Sequence, residues 1–297
     1  ISISYCLSKI IKKNKVDIMI SFLPKSNFIN IITSFFGAKH YIVISERSNP
    51  SLLYKKYILK LFINFIYNYS KLVVAVSSGV ATDLKNNFLI NSNKIITINN
   101  PFNIKEIKNL SSKSCQNAWL NNPKVKVIVG IGRLIVDKRF QDLIKAFSRL
   151  KYKKNKYRLI IIGEGPEEKT LYKLLHNLNL LNFVKIIPFS NNHYKYLAKS
   201  DCLVACSQRE GFPNILVEAM IVKTHVISSN VNYGAKEILN DGEYGALYEV
   251  GNIEELVQHL ESKLKVKNTF ILDQAFHHIQ KYNVKNIAEE YLRNINE

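Results

Sequence analysis

The stretch that decides the fold is "SQREGFPNILVEAM", residues 207–220. It follows an apolar run and passes through a turn at Gly211 and Pro213 into a helical pattern. Glu210 stands directly before this turn, and Glu218 comes eight residues later, inside the helical pattern. A buried strand, a turn and a helix in succession form a βα unit. The sequence therefore predicts two carboxylates on either side of a strand-to-helix turn.

Short apolar runs alternate with helical patterns on both sides of this unit, which predicts parallel sheets with crossover helices. The runs are continuously apolar, as expected of strands that are buried on both faces. In the first part of the chain the predicted strands are 16–23, 40–46, 72–77 and 95–101. In the second part they are 125–132, 158–165, 183–189, 201–207, 225–231 and 245–250.

The two series of strands predict two Rossmann-like α/β domains. The first is expected over residues 1–118 and the second over residues 119–280, followed by a C-terminal helix over 281–297. The polar segment 103–123 is interpreted as the linker between the domains. Ligands of open α/β sheets bind beyond the carboxyl ends of the strands. The functional residues should therefore follow the strands and face the cleft that two such domains form.

The composition narrows the class of protein. No run approaches the ~20 apolar residues of a membrane-spanning helix, and the four cysteines show no metal-binding or redox spacing. We therefore expect a cytoplasmic protein in which Cys202 and Cys206 are small, buried apolar residues. The net charge is +19, and residues 1–118 carry 16 Lys and Arg against 4 Asp and Glu. This asymmetry favours a polyanionic partner, although a Lys- and Asn-rich composition throughout the chain is an alternative explanation.

Two cations follow the first strand of the second series, in "GIGRLIVDKRF", residues 130–140. Gly130 and Gly132 allow the backbone to approach a ligand closely, and Arg133 and Lys138 come next. A guanidinium and an ammonium five residues apart suit a diphosphate. Two solvated surface cations are the alternative in so basic a chain.

The turn "GFPN", residues 211–214, is predicted to start a helix with Asn214 as its cap. The free N–H groups and the positive end of the helix dipole favour an anion such as a phosphate. Glu218 lies about one turn inside this helix, where its carboxylate suits two vicinal hydroxyls of a ribose. The alternative is that Glu218 only stabilises its own helix dipole, but this alternative does not account for Glu210.

Five motifs in this order resemble the donor-binding half of retaining glycosyltransferases of family 4, which have the GT-B architecture of two Rossmann-like domains. They are "GIGRLIVDKRFQDLIKAF", "LIIIGEGPEEKTL", "EGFPNILVEAM", "GAKEIL" and "GEYGALYEVGNIEELVQHL". In the first part, "ISFLPKSNFIN", "VISERSNP", "VAVSSGVATDL" and "INNPFN" are similar to the acceptor-side domain. The "SERSNP" motif is similar to enzymes that add N-acetylhexosamine, notably N-acetylgalactosamine, to undecaprenyl-diphosphate-linked sugars.

The resemblance implies a nucleotide-sugar donor, UDP-linked, that serves as co-substrate without a metal ion or cofactor. Arg133 and Lys138 match the pair that neutralises the donor diphosphate. Glu218 matches the glutamate that binds the ribose, and Glu210 matches the glutamate that faces the donor sugar. The sequence contains no Asp-x-Asp pair to hold a divalent metal, so the two cations would supply the electrostatic help to the leaving group.

The resemblance also implies a wider set of binding residues. The remaining donor-binding residues would be Gly132, Pro188, Phe189, Gly211, Phe212, Pro213 and Asn214. Of these, Pro188 and Phe189 would lie near the base. On the acceptor side the resemblance points to Glu46, Arg47 and Asn49.

Three features depart from the family pattern. Lys223-Thr224-His225 stands where the family has Gly-x-Pro, so the entry to the next strand is altered. Many relatives carry a histidine where this chain has Glu46-Arg47, which leaves the role of Glu46 open. The first strand and the glycine-rich loop of the acceptor-side domain should precede residue 1, so we expect a truncated chain that is inactive for that reason.

The leading hypothesis is a glycosyltransferase that moves a sugar from a nucleotide donor to a lipid-linked or glycan acceptor. A nucleotide-sugar epimerase of the same fold and an inactive partner subunit are the alternatives. The E-x7-E motif together with the two cations favours transfer over epimerisation, and an intact site argues against a degenerate subunit.

The segment "YKKYILKLFINFIYNYSK", residues 54–71, combines lysines with apolar and aromatic residues. Basic amphipathic segments lie in the interface of anionic bilayers, whereas no aromatic–basic platform supports nucleic acid as the partner. We therefore expect a peripheral protein at the inner face of the cytoplasmic membrane. The alternative is that these apolar residues form the buried face of a crossover helix.

Overall fold

The structure divides into two compact units. This computed structural model describes residues 2–150, 156–231, 233–265 and 268–296. The first unit holds the residues up to Pro101 together with those from Lys285 onward, and the second unit holds Phe102–Val284. Each unit contains one parallel β-sheet.

The first unit contains four parallel strands in the order β1-β2-β3-β4. The strands are β1 Ile18–Phe22, β2 Tyr41–Glu46, β3 Leu72–Ala75 and β4 Ile95–Thr97. The helices are α1 Ser2–Asn14, α2 Pro24–Phe35, α3 Pro50–Leu53, α4 Tyr57–Tyr69 and α5 Ser78–Phe88. Strands β2 and β3 are almost wholly buried, because each has a strand on both sides and side chains packed on both faces.

The second unit contains six parallel strands in the order β10-β9-β8-β5-β6-β7. The strands are β5 Lys126–Ile131, β6 Tyr157–Ile162, β7 Val184–Ile187, β8 Cys202–Ala205, β9 His225–Ser229 and β10 Ala246–Tyr248. The helices are α6 Ile104–Ser111, α7 Phe140–Arg149, α8 Glu168–Asn177, α9 Tyr194–Lys199, α10 Asn214–Ile221, α11 Ala235–Leu239, α12 Ile253–Lys265 and α13 Thr269–His278. Along the described residues, no helix is both long enough and apolar enough to cross a bilayer.

The two sheets confirm the predicted α/β class. All ten predicted strands are present, although β4 ends at Thr97, four residues earlier than expected. The core of the second unit is made of strand and helix residues such as Ile128, Leu143 and Leu159. Cys202 and Cys206 are buried in the same core, as predicted.

The division between the units differs from the predicted bounds at residue 118. The chain passes from one unit to the other at Pro101, and the predicted linker begins with helix α6. Polar residues dominate this helix, but Ile104 and Ile107 are buried against the second unit. Asn103 caps the helix, since its Oδ1 accepts a hydrogen bond from the Glu106 N–H at 3.2 Å and its Nδ2 donates to Glu106 Oε2 at 2.9 Å.

The C-terminal helix also differs from the prediction of a separate element over 281–297. Helix α14, Val284–Asn296, belongs to the first unit from Lys285 onward. Its buried residue Ile287 packs in one apolar cluster with Val43 and Val74 of the first sheet. An amphipathic helix needs an apolar surface to cover its apolar stripe, and the face of β2 and β3 provides that surface.

The chain enters β9 through the segment that departs from the family pattern. Lys223 has a φ of +58°, a left-handed conformation that glycine adopts more readily. Its Nζ pairs with Asp273 Oδ1 at 2.5 Å, and the Thr224 hydroxyl donates to the Leu197 carbonyl at 2.7 Å. The strand entry therefore forms without the glycine and proline.

We predict that Asn103→Ala lowers the free energy of unfolding of the second unit by about 1 kcal/mol, the usual cost of a lost helix cap. Asn109→Ala is the matched control, because Asn109 is exposed on the same helix. Chemical denaturation of both variants makes the comparison. Equal stabilities would mean that α6 behaves as the linker that its polar composition suggested.

Candidate functional site

The candidate site lies at the carboxyl edge of the second sheet. Strand β5 has β6 on one side and β8 on the other, so the direction in which the sheet grows reverses at β5. Two adjacent strands whose connections run to opposite sides leave a crevice at their carboxyl ends, where ligands bind in open α/β sheets. The turn after β5, residues 132–139, and the turn after β8, residues 206–213, border this crevice.

Lys138 and Glu210 form an ion pair that joins these two turns. Lys138 ends a 3-10 turn over Val136–Lys138, and its Nζ bonds to Glu210 Oε1. The two side chains are 24% and 19% exposed. They are therefore partly removed from water, which strengthens their electrostatic interaction, yet a ligand entering from solvent can contact both.

Two further charged residues hold the same turns together, and the sequence analysis did not select them. Asp137 Oδ1 pairs with Arg209 Nη2 at 2.9 Å and accepts a hydrogen bond from Gln208 Nε2 at 2.8 Å. The backbone adds a bond from the Gln208 N–H to the Asp137 carbonyl at 2.9 Å. Asp137 directly precedes Lys138, and Arg209 directly precedes Glu210. In each case the charge is opposite to that of the predicted site residue, and this adjacency is the signal that could have identified the second pair.

Arg133 lies on the same turn as Lys138 but is exposed. Among the described residues it has no ion-pair partner, so its charge is not neutralised by a neighbouring carboxylate. Gly132 lies against Lys138, since a Cβ added to Gly132 would be 3.5 Å from Lys138 Cε. The predicted cations thus share one turn, and they differ in that only Lys138 is held by an acid.

The turn that precedes α10 is buried. Gly211, Phe212 and Pro213 are all buried, and the Phe212 ring packs edge-on against Tyr282 with ring centroids 5.4 Å apart. The expected cap is not observed, because Pro213 occupies the flanking position and Asn214 is the first helical residue. A proline side chain has no acceptor, so Pro213 itself does not cap α10.

Gly234 packs directly against the turn at residues 211–213. Its φ is +79°, and a Cβ added there would lie 2.9 Å from Gly211 O, Phe212 Cα and Pro213 Cδ. Both the left-handed backbone and the lack of space require glycine at this position. The chain before α11 therefore fixes the shape of the turn that connects Glu210 to α10.

Glu218 is held by a histidine that the sequence analysis also missed. Glu218 is the fifth residue of α10, and its Oε2 lies 2.8 Å from His193 Nε2. The side chains are 15% and 13% exposed. A histidine at the start of a helix that follows a strand end was visible in the sequence, but nothing in its spacing related it to Glu218.

Pro188 and Phe189 follow β7 and are both exposed. The Phe189 N–H donates to Glu164 Oε1 at 3.3 Å, and its ring centroid is 6.4 Å from that of His193. The loop from β7 to α9 thus brings these two predicted residues to the neighbourhood of Glu218. The donor-side predictions therefore gather in two groups, one around the Lys138–Glu210 pair and one around Glu218.

The predicted acceptor-side residues lie in the first unit. Glu46 ends β2 and is fully buried, and its carboxylate accepts hydrogen bonds from the Tyr67 hydroxyl at 2.9 Å and from the Ser48 N–H at 3.1 Å. Burial raises the pKa of Glu46, and the hydrogen bonds from Ser48 and Tyr67 oppose this shift. Asn49 caps α3 by accepting from the Leu52 N–H at 3.2 Å.

Arg47 is likewise engaged within the first unit. Its Nε donates to Ser45 Oγ at 2.9 Å, and its Nη2 donates to the Tyr291 hydroxyl at 2.7 Å. The guanidinium also lies over the Phe22 ring, 4.9 Å from the centroid. Glu46, Arg47 and Asn49 therefore all have protein partners, and their contact with an acceptor stays a prediction.

Comparison with known proteins identifies relatives along most of the chain. The family model described as "Glycosyl transferases group 1" matches residues 112–285. N-acetylgalactosamine-N,N'-diacetylbacillosaminyl-diphospho-undecaprenol 4-alpha-N-acetylgalactosaminyltransferase of Campylobacter jejuni is 32% identical over 262 residues, which cover 86% of this chain and 69% of that protein. GalNAc-alpha-(1->4)-GalNAc-alpha-(1->3)-diNAcBac-PP-undecaprenol alpha-1,4-N-acetyl-D-galactosaminyltransferase of the same organism is 26% identical over 296 residues, covering 99% of this chain and 78% of that protein.

Among solved structures, Anabaena HepE in complex with UDP is similar in fold. It superposes with a TM-score of 0.88 at 20% identity, covering 99% of this chain and 81% of that chain. This likeness confirms the GT-B fold class. The match to the Campylobacter transferases confirms the resemblance that the sequence motifs indicated.

We predict that Gly234→Ala destabilises the second unit more than Gly242→Ala does. Gly242 also has a positive φ, +100°, but the nearest atom to an added Cβ is 3.9 Å away. Both substitutions carry the cost of a left-handed alanine, about 1–2 kcal/mol, and only Gly234→Ala adds a clash with the turn. Denaturation curves of the two variants measure the difference; equal losses would show that the turn moves aside at no cost.

Proposed function

The chain belongs to the glycosyl transferases group 1, and we propose that it is a retaining glycosyltransferase. It moves an N-acetylhexosamine from a UDP-sugar to a lipid-linked or glycan acceptor, in the synthesis of cell-surface polysaccharide or lipid-linked oligosaccharide. The observation that carries this proposal is the ion pair between Lys138 and Glu210 at the switch point of the second sheet. In this proposal Lys138 is the cation for the diphosphate, and the adjacent Glu210 is the carboxylate for the sugar.

The leaving group of this reaction is a nucleoside diphosphate. When the bond between the anomeric carbon and the phosphate oxygen breaks, negative charge grows on that oxygen. Arg133 and Lys138 follow the same strand, and positioned cations that meet developing charge usually make the largest single contribution to such a step. The donor is a co-substrate, and in this proposal the two cations act without a metal ion.

The rest of the donor is bound by the two turns and by α10. Glu210 faces the hydroxyls of the donor sugar, and Glu218 accepts from the ribose hydroxyls. The first backbone N–H groups of α10 and the positive end of its dipole favour the diphosphate. In this proposal Pro188 and Phe189, which are exposed, contact the base.

The identities of the relatives support the finer assignment. Two Campylobacter relatives are named as N-acetylgalactosaminyltransferases with undecaprenol-linked acceptors, which supports an N-acetylhexosamine and a lipid-linked acceptor. HepE, a protein of the same fold, was solved with UDP, which supports UDP as the nucleotide. Membership of a transferase family disfavours the epimerase alternative, and the paired site residues disfavour an inactive partner subunit.

Helix α4 supports a membrane surface as the place of action, because it presents an apolar face that the first unit does not bury. Only Ile63, Ile66 and Tyr67 of its 13 residues are buried. Its exposed large apolar residues, which we name the α4 face, are Tyr57, Ile58, Leu59, Leu61, Phe62, Phe65 and Tyr69. Large contiguous apolar patches on soluble monomers usually mark interaction sites. Most apolar residues of this helix therefore do not form the buried side of a crossover, which was the alternative.

The charges around the α4 face are almost all positive. Its neighbouring lysines along the chain are Lys55, Lys56, Lys60 and Lys71. Residues 1–101 contain 13 Lys and Arg against 3 Asp and Glu, and two of those acids, Glu46 and Asp83, are buried. Apolar burial and attraction to anionic lipid add in such a surface. The protein thus acts as a peripheral cytoplasmic protein at the inner face of the membrane, where a lipid-linked acceptor resides.

We predict that, in a full-length form of the protein, Lys138→Ala lowers kcat by about 10²- to 10³-fold, the usual effect of removing one donor to developing charge. The KM for UDP-N-acetylgalactosamine should change far less, because the charge that Lys138 meets grows as the bond breaks. Steady-state kinetics with this donor and a polyprenyl-diphosphate-linked N-acetylhexosamine, both varied, test the prediction. Lys145→Ala is the control, since Lys145 is exposed on α7; a change confined to KM would contradict the leaving-group role.

We also predict salt-sensitive binding to vesicles that contain phosphatidylglycerol. Replacing Lys55, Lys56 and Lys60 by Gln should reduce recovery in flotation about tenfold or more, since each lysine near an anionic surface contributes on the order of 1 kcal/mol. Ile58→Ser with Phe65→Ser should reduce it as well, because apolar contact is lost.

The control for charge is the triple replacement of Lys145, Lys169 and Lys173 by Gln. These lysines are exposed in the second unit, so the net charge changes equally while the α4 face stays intact. Flotation at two salt concentrations, with phosphatidylcholine vesicles beside the anionic ones, completes the design. Equal recovery from both lipids, or none from either, would reject the membrane surface.

A further inference from the structure

His193 is the partner of Glu218 in a part of the second unit that is largely closed to solvent. A carboxylate only accepts hydrogen bonds, so His193 Nε2–H donates to Glu218 Oε2 over 2.8 Å. The other ring nitrogen, Nδ1, is buried and has no partner among the described residues. Among the described residues, the polar contact of the His193 ring is therefore the one with Glu218.

The position of the His193 ring is fixed from several directions. The His193 carbonyl accepts from the Tyr196 and Leu197 N–H groups at 3.0 and 3.1 Å, which anchors the backbone at the start of α9. The ring packs against Tyr194, with centroids 4.3 Å apart, and near Phe189. A ring held by backbone and aromatic contacts can fix the orientation of the carboxylate that it contacts.

We infer that His193 is a positioning residue that holds Glu218 in the orientation in which it accepts hydrogen bonds from the ribose hydroxyls of a nucleoside diphosphate. This inference rests on the proposed function, which assigns the ribose to Glu218. The histidine does not touch the nucleotide. Because His193 donates to Oε2 of Glu218, this carboxylate is held in one orientation. Its remaining lone pairs then accept from the ribose hydroxyls.

The consequence is a smaller entropic cost of binding. A free glutamate side chain loses rotamer freedom when a ligand orders it. Glu218 loses this freedom on folding instead, because His193 and the buried residues of α10 order it beforehand. This gain in binding free energy applies only to ligands that contact Glu218, so it should depend on the ribose hydroxyls.

The test is binding of UDP and 2′-deoxy-UDP to the full chain by calorimetry. His193→Phe keeps an aromatic ring next to Tyr194 and Phe189 but removes the N–H donor. It should weaken the binding of UDP about threefold to tenfold, the effect of leaving one side chain to be ordered by the ligand. The binding of 2′-deoxy-UDP should weaken less, because this nucleotide keeps only one of the two ribose hydroxyls. His193→Gln retains an N–H donor and should restore most of the affinity for UDP.

Glu218→Gln separates the inference from the function on which it rests. In the Glu218→Gln background, His193→Phe should have no further effect on UDP. If Glu218→Gln abolishes the preference for UDP over 2′-deoxy-UDP and His193→Phe preserves it, the positioning role is wrong and the ribose assignment stands. If the wild type shows no such preference, the ribose assignment fails and the inference fails with it. Equal weakening of both nucleotides by His193→Phe would show a structural role only.

Discussion

The ion pair between Lys138 and Glu210 is the interaction on which the site depends. It joins the turns after β5 and β8, which are neighbours because the sheet reverses its direction of growth at β5. Both groups are partly shielded from water, so leaving either charge without a partner would cost free energy. An anionic ligand that takes the cation must therefore offer Glu210 another donor. A nucleotide sugar does so, because its sugar hydroxyls lie next to its diphosphate.

Close backbone packing holds these turns at the edge of the sheet. A Cβ on Gly163 would lie 1.9 Å from the Gly132 carbonyl, and a Cβ on Gly165 would lie 2.4 Å from the Leu134 carbonyl. The turn after β6 therefore packs directly against the turn that carries Lys138. Gly234 packs in the same way against the turn after Glu210. These glycines are needed because they have no side chain: a Cβ at any of these positions would push the charged turns apart.

The sequence predicted the sheets well because buried parallel strands leave continuous apolar runs, and all ten runs became strands. It predicted a linker where α6 forms, because the two buried residues Ile104 and Ile107 are too few to produce a clear helical pattern. It missed Asp137, Arg209 and His193 for a different reason. Each acts through a partner at least 25 residues away in the sequence, and pairing across such a distance becomes visible only when the fold brings two turns together.

The two glutamates of the motif are held by partners of different kinds, which gives them different parts in the proposed reaction. In the proposed reaction a diphosphate attracts Lys138, so the contact between Lys138 and Glu210 changes when the donor binds. The contact between His193 and Glu218 can persist, because ribose hydroxyls are uncharged and can donate to the remaining lone pairs of the carboxylate. In the proposed reaction Glu210 thus exchanges its partner, whereas Glu218 keeps His193 as its partner when the donor binds. The motif distinguishes the two glutamates by their position at the turn and in the helix, and the fold adds their different partners, Lys138 and His193.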